Sequence, residues 1–340
     1  MHNDHQPDSR KRRPSGDPFK RFGKALLTEY SYLLSFALLL IIAWSTNRYF
    51  FRWNNISSLF VQSATTTGFI ALGMTMVICA GMIDISVGAQ VAIVSGFCIV
   101  VLNATHSIWI ALLFCLGAGI VIGTVNGILV AKGRMPAMIA TLAMMAICRS
   151  LINHFGQGGP FNVPDREDFN LFRLVAAGTI QIGGFKVPYP LILFILISLL
   201  FGLIMQRTKL GKHVYAVGSN AVSARLSGVN VDFIRVAVFS ITGLLCGFTS
   251  WLYASRVMAV ASASAGMQFE MDAIAAVAIG GTSMSGGRGK VIGTFLGVLM
   301  FKIINNILVA ANVPTFLNGA VSGAIIIVAV LLQNLQGQKK

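Results

Sequence analysis

Acidic side chains are scarce in this sequence, with 11 Asp and Glu against 26 Lys and Arg. Asp84 is the sole acid between Glu29 and Asp165, and it stands in Gly81-Met82-Ile83-Asp84-Ile85-Ser86-Val87-Gly88, between two apolar runs. An acid at membrane depth is expensive and has to face a cavity or a partner. Asp84 therefore either lines a polar path or sits in a cytoplasmic turn, and Ser86 is placed to cap a helix starting at Val87. A second polar break is Glu270-Met271-Asp272, followed by a glycine run from Gly280 to Lys290. The run invites a phosphate-cradle reading, but a P-loop continues from Gly-Lys into Ser or Thr, and here Gly289-Lys290 is followed by Val291. A tight turn built on Gly280, Gly281, Gly286 and Gly287 is the better reading. The third break runs from Arg207 through Gly211, Gly218 and Asn220 to Val231. Within it Ala221–Leu226 follows a natural N-cap, Asn220, and precedes a natural stop, Gly228. It reads as a short helix carrying Ala224 and Arg225, or as a solvated loop with one helical turn. Asn126, Asn305 and Asn306 are lone polar residues in apolar runs. Each would hydrogen-bond a polar solute or tie helices together, the latter being the default. Lys302 poses the same alternative.

Enzymatic constellations are missing from the sequence. The histidines (His2, His5, His106, His154 and His213) are isolated, with no H-E-x-x-H spacing, and no G-x-S-x-G elbow occurs. Five cysteines (Cys79, Cys98, Cys115, Cys148 and Cys246) lie singly in apolar stretches without a C-x-x-C pair. They read as packing residues rather than a zinc or disulfide framework.

The elements that must hold these residues are membrane helices. Of the chain, 55% is hydrophobic and 11% charged, where soluble domains carry roughly 25% charged residues. A formal charge of +15 suggests nucleic acid, but the basic residues sit before the first apolar run or in short gaps between runs. That distribution sets orientation in a bilayer. Taking about 20 apolar residues per span, ten spans are expected near 28–47, 61–82, 88–103, 108–131, 136–154, 188–206, 233–254, 270–282, 291–312 and 316–334. The third and eighth are short and read as tilted or discontinuous. With the N-terminus inside, 18 of the 26 Lys and Arg fall in cytoplasmic segments, six outside, and Arg149 and Lys302 within spans. Both termini are expected in the cytoplasm, in a multi-pass protein. Residues 1–27 read as a disordered basic segment, 28–335 as one transmembrane domain and 336–340 as a cytoplasmic tail. Ala43-Trp44-Ser45 imitates a signal cleavage site, but the long polar lead and the spanning length favour a retained signal-anchor. Many of the 35 glycines fall inside spans, which permits close helix packing.

At the same three polar breaks the sequence resembles the membrane-spanning permease subunits of ribose-type sugar ABC importers. The matching segments are Gly81–Gly88, Thr208–Val231 and Glu270–Gly289, with Met82 standing for a usual glycine and Ser219 within a usual G-G-N. The likeness covers roughly residues 40 to 335. It implies a type II ABC importer-like bundle in a bacterial inner membrane, translocating a monosaccharide such as a ribose-like pentose or a hexose. It also implies two such subunits (homodimer or heterodimer), a cytoplasmic ATP-binding subunit, and a periplasmic or extracellular sugar-binding protein. No cofactor is expected on this chain, ATP and magnesium belonging to the partner ATPase, and lipid is expected around it. By this likeness the 207–231 segment, with Arg207, Gly211, Gly218, Asn220, Ala224, Arg225 and Gly228, couples to the ATPase. Asp84, Ser86, Asn126, Asn305 and Asn306 are the expected substrate-path residues. Competing readings are a permease for a sugar-like signalling molecule, a stand-alone passive channel, or a membrane enzyme, the last disfavoured by the missing constellation.

Overall fold

A computed structural model describes residues 31–164, 169–314 and 317–337. The expected N-terminal segment, 1–27, lies outside the described residues, as do 338–340 of the expected tail. The chain is helical, in the order α1 (Ser31–Thr46), α2 (Trp53–Ser63), a π-helical turn (Ala64–Gly68), α3 (Phe69–Cys79), α4 (Val87–Thr105), α5 (Ile108–Ala131) and α6 (Ala137–Gly156). After strand β1 (Pro160–Asn162) come α7 (Asn170–Ala177), the hairpin β2 (Thr179–Ile182) and β3 (Phe185–Pro188), α8 (Tyr189–Arg207), α9 (Lys209–Ser219), α10 (Ala221–Leu226) and α11 (Val231–Val257). Strand β4 (Ala259–Ala261), α12 (Phe269–Ile279), α13 (Val291–Ala310) and α14 (Asn318–Gly337) complete the order. Among the described residues, seven helices, counting α2 to α3 as one, are long and apolar enough to cross a membrane.

Each of the ten expected spans coincides with a helix, with two instructive differences. The second begins at Trp53 rather than near 61, because Asn54, Asn55, Ser57, Ser58 and Gln62 interrupt the apolar run that marked it. Its two helical halves meet at the π-turn, where the Thr65 and Thr66 hydroxyls donate to the carbonyls of Val61 and Gln62; such insertions into the i→i−4 ladder are a recognised cause of helix bending. The third span is not short, since α4 holds 19 residues. The eighth is: α12 has 11, about 16 Å of helix against a hydrocarbon core of about 30 Å. Before it come strand β4 and the irregular residues 262–268, of which Ser262, Ala265 and Gly266 are buried in protein.

Every residue of α3 is buried, so this helix, apolar all round, is the central post of the bundle. By contrast the outer faces of α5, α6 and α8 expose Leu, Ile, Val and Met, as helices against lipid do. The tightest pairing is α5 with α11. A Cβ at Gly119 or Gly123 would collide with the carbonyl of Gly243 or Phe239, and one at Gly247 with the carbonyl of Cys115. Backbone touches backbone there, the small-residue packing that drives membrane helices together. All five cysteines are buried and unpaired, in keeping with their reading as packing residues.

The connections gather at two ends. At the hairpin end, β1 pairs antiparallel with β4 (Phe161 opposite Val260) and β2 with β3 (Ile180 opposite Val187). The Trp53 indole donates to the Lys186 carbonyl at 2.8 Å. The junction end holds the polar breaks, described next.

Candidate functional site

After Cys79 the chain leaves α3 through Gly81, at φ +79°, with Gly81 N and Met82 N bonded back to Ile78 and Val77. It then runs irregularly to Val87. Asp84 is fully buried, so it does not sit in an exposed turn. Its Oδ1 accepts from the Ser86 backbone N–H at 2.9 Å and from the Ser86 hydroxyl at 2.5 Å. Ser86 is thus the residue before α4 but not its side-chain cap: its hydroxyl is spent on Asp84 rather than on an amide of the helix. Gln90 Nε2 and Asn126 Nδ2 both donate to that same hydroxyl oxygen, at 2.7 and 2.9 Å. Three further oxygens of this sealed cluster, Asp84 Oδ2, Gln90 Oε1 and Asn126 Oδ1, have no hydrogen-bond partner among the described residues. Gln90 was missed from the sequence, although a Gln one turn after Ser86 in an apolar helix is a legible signal.

The three polar breaks converge. A Cβ at Gly218, the penultimate residue of α9, would fall on the carbonyl oxygen of Cys79 and 2.8 Å from Gly287 N. Gly287 N donates to that same Cys79 carbonyl at 2.9 Å. Gly286, at φ +85°, lies with its Cβ position 2.9 Å from both the Gly218 carbonyl oxygen and Gly81 Cα. Tyr215 reaches from α9 to donate to the Gly289 carbonyl at 2.8 Å. The turn is internally bonded, Ser283 N to Arg288 O and Gly286 N to Ser283 O, and Gly281 also takes positive φ. Gly280 packs against Gly293 at the start of α13, with no room for a Cβ. At its other end the first break meets the second again, since a Cβ at Gly88 would strike Glu270 and the Gly266 carbonyl. Arg149, inside its span, donates to the Ala265 carbonyl, and the Ser322 hydroxyl donates to Asp272 at 3.2 Å.

The segment expected to hold one short helix holds two. Lys209–Ser219 (α9) is capped by Thr208, whose hydroxyl accepts from Gly211 N at 3.3 Å, and Gly211 packs on the Met205 backbone. The expected helix α10 follows, with Asn220 Oδ1 accepting from Ser223 N at 2.9 Å and Gly228 at φ +83° after its end. Ala224 is buried, whereas Val222 and Leu226 are 70% and 85% exposed. Arg207 is exposed too, and Arg225 pairs with Asp232 at 3.1 Å on the surface. A short helix with exposed Val222 and Leu226 is thus presented outward on a base where the three motifs pack together.

Asn305 and Asn306 lie elsewhere, in the later half of α13. Asn306 Nδ2 donates to Asn55 Oδ1 at 3.1 Å, a helix-to-helix tie, and Asn305 is half-buried beside it. Lys302 is buried on the same helix.

Among the described residues, seven helices long and apolar enough to cross a membrane, with polar breaks packed together at one junction, make the chain a multi-pass helical bundle of an integral membrane protein. Residues 55–330 match the family model described as branched-chain amino acid transport system / permease component, and the chain belongs to that family. Among its relatives, the ribose import permease protein of Escherichia coli K12 is 34% identical over 92% of this chain and 96% of its own. The ribose import permease protein of Bacillus subtilis is 36% identical over 88% of this chain and 90% of its own. The galactose/methyl galactoside import permease protein of Haemophilus influenzae is 31% identical over 93% of this chain and 96% of its own. No solved structure matches the chain significantly.

Proposed function

We propose that this chain is the membrane subunit of an ATP-driven importer of a monosaccharide. The observation that carries the reading is that Gly218 and Gly287 meet at the Cys79 carbonyl while Gly81 and Gly286 pack on Gly218 beside it. It makes α9, α10 and the 280–290 turn one body with the central post α3, so a push on α10 is felt at the break before α4. The chain supplies no nucleotide motif of its own. A partner ATPase, holding ATP and magnesium, would dock on α10 through Val222, Arg225 and Leu226 and bias two arrangements of the bundle; such bias needs a contact that differs between them. In this reading both termini are cytoplasmic and the junction end faces the cytoplasm, as the distribution of Lys and Arg favours. A second permease subunit and an external sugar-binding protein complete the importer in the bacterial inner membrane.

Sugar as the cargo is supported by the sugars for which the relatives are named and by a bundle with few charges, since neutral polyols need hydroxyl and amide partners rather than ions. Asn305, Asn306 and the Asp84–Ser86–Asn126 cluster are assigned to the path, the cluster at the inner break where it is sealed in this conformation. The test is the reconstituted complex. Gly218→Ala and the pair Val222→Ser with Leu226→Ser should cut ATPase stimulation by the loaded binding protein at least tenfold while the permease still inserts. Unchanged stimulation with normal assembly would sink the coupling claim, and a complex that moves no sugar would sink the cargo claim.

A further inference from the structure

The first half of the second span is too polar for its position. Asn54, Ser58 and Gln62 recur at four-residue spacing, which puts them on one face of α2, and all three are exposed. Gln62 lies about 14 Å along the helix from Trp53, in a helix long and apolar enough to cross a membrane. A stripe of amide and hydroxyl groups on such a helix finds no partners in hydrocarbon and belongs against water, solute or protein. The π-turn begins two residues after Gln62, and single-turn π-bulges are frequent at functional sites.

An independent feature meets this stripe. A cavity of about 370 Å³ opens between α2, α7, the base of the β2–β3 hairpin and the end of α11, within the ~300–1,000 Å³ range of small-molecule sites. Ser57, Ser58, Gln62, Thr179 and Arg256 give it polar groups, and Val61 and Pro188 an apolar floor. Arg256 is half-buried, and its Nε is buried with no hydrogen-bond partner among the described residues. A guanidinium donor left unmatched beside a cavity has a cost that a ligand oxygen would remove.

We infer that this cavity is the outer solute subsite of the permease, in which Arg256 and Gln62 take the hydroxyl and ring oxygens of a neutral polyhydroxylated solute arriving from outside. The chemistry fits that class. Arg supplies donors in a fixed fork, Gln and the hydroxyls both donate and accept, and the small apolar floor suits the C–H face of a sugar ring. A carboxylate offers acceptors only, whereas a polyol both donates and accepts, as the hydroxyls of Ser58 and Thr179 and the amide of Gln62 do. The inference rests on the importer reading and its orientation, and it assigns specificity to the membrane subunit itself.

Because the native cysteines are buried, Gln62→Cys places a reactive thiol where a membrane-impermeant maleimide can report on it. In cells holding the whole importer, external maleimide should label Gln62→Cys, and D-ribose, L-arabinose or D-galactose at millimolar concentration should slow labelling at least fivefold. Adding Arg256→Gln should keep the labelling and abolish the protection. Ser58→Cys serves as a second position if Gln62→Cys fails to accumulate. A thiol that stays unlabelled at both positions would mean that lipid or a second permease copy covers the stripe, and would overturn the subsite. So would labelling that no sugar slows. Uptake of the same three sugars by the unmutated importer separates the two failures: uptake without protection removes this subsite alone, and absence of uptake removes the sugar-importer reading beneath it.

Discussion

Asp84 shows how a single buried acid can be held by geometry rather than by an ion pair. Its Oδ1 takes two donors from Ser86, while its Oδ2 and the oxygens of Gln90 and Asn126 face one another's surroundings without a donor. Asp84→Asn keeps the acceptor and adds two donors, so it should leave thermal stability within about 1 kcal/mol. Asp84→Ala strips the acceptor from two buried donors and should cost about 2–4 kcal/mol, measured by thermal unfolding in detergent. If Asp84→Asn folds but transports poorly, the charge itself serves transport; if it transports normally, the residue is a lock. Tyr215 carries the corresponding role at the surface junction. Burial, with a smaller contribution from the nearby Cys79, pushes its phenol up to about 12, above the ordinary ~10. The neutral phenol is the form the fold favours, so its stabilisation is complete below pH 10 and is lost as pH rises from about 10 to 12. Tyr215→Phe should remove the bond to Gly289, cost about 1 kcal/mol and flatten that alkaline decline in a pH series of unfolding temperatures.

Between elements, the decisive contact is the glycine ladder joining α5 to α11. Gly243→Val forces a branched side chain into the Gly119 backbone and should cost about 3 kcal/mol or more, at the upper end of overpacking penalties. Gly117, in the same helix but with open space at its Cβ position, is the matched control, and Gly117→Val should be tolerated. Equal behaviour of the two variants in detergent monodispersity and thermal unfolding would refute the ladder. The broken crossings obey the same logic. The stretch before α12 is held by backbone contacts, Gly88 packing on Gly266, Arg149 donating to the Ala265 carbonyl and β1 pairing with β4.

For the whole molecule, the proposed topology puts the β2–β3 hairpin outside, and α10 and the end of α14 inside. An extracytoplasmic phosphatase reporter should be active when inserted between Gly183 and Gly184 and inactive after Gly228 or fused beyond residue 337. Activity at either of the latter would reverse the orientation and, with it, the assignment of α10 to a cytoplasmic ATPase.

Much of this was legible in the sequence because a bilayer leaves few choices. Long apolar runs must be helices, since hydrocarbon offers no partner for an open backbone, and the three polar breaks stood out because charge is so rare here. Asn220 as a cap and the turn at Gly280–Gly287 follow from local backbone chemistry, which nearest neighbours settle. What the sequence hid was contact across long separations. That Gly218 and Gly287 meet at the Cys79 carbonyl, that Gly81 and Gly286 meet at the carbonyl of Gly218, that Ser86 serves Asp84 instead of its own helix, and that Asn306 bonds Asn55 depend on which helices pack together. The start of α2 was missed because its polarity, at 53–62, looked like a loop; only the bundle, by giving that polar face a cavity and Arg256 to look upon, lets it be a helix inside a membrane.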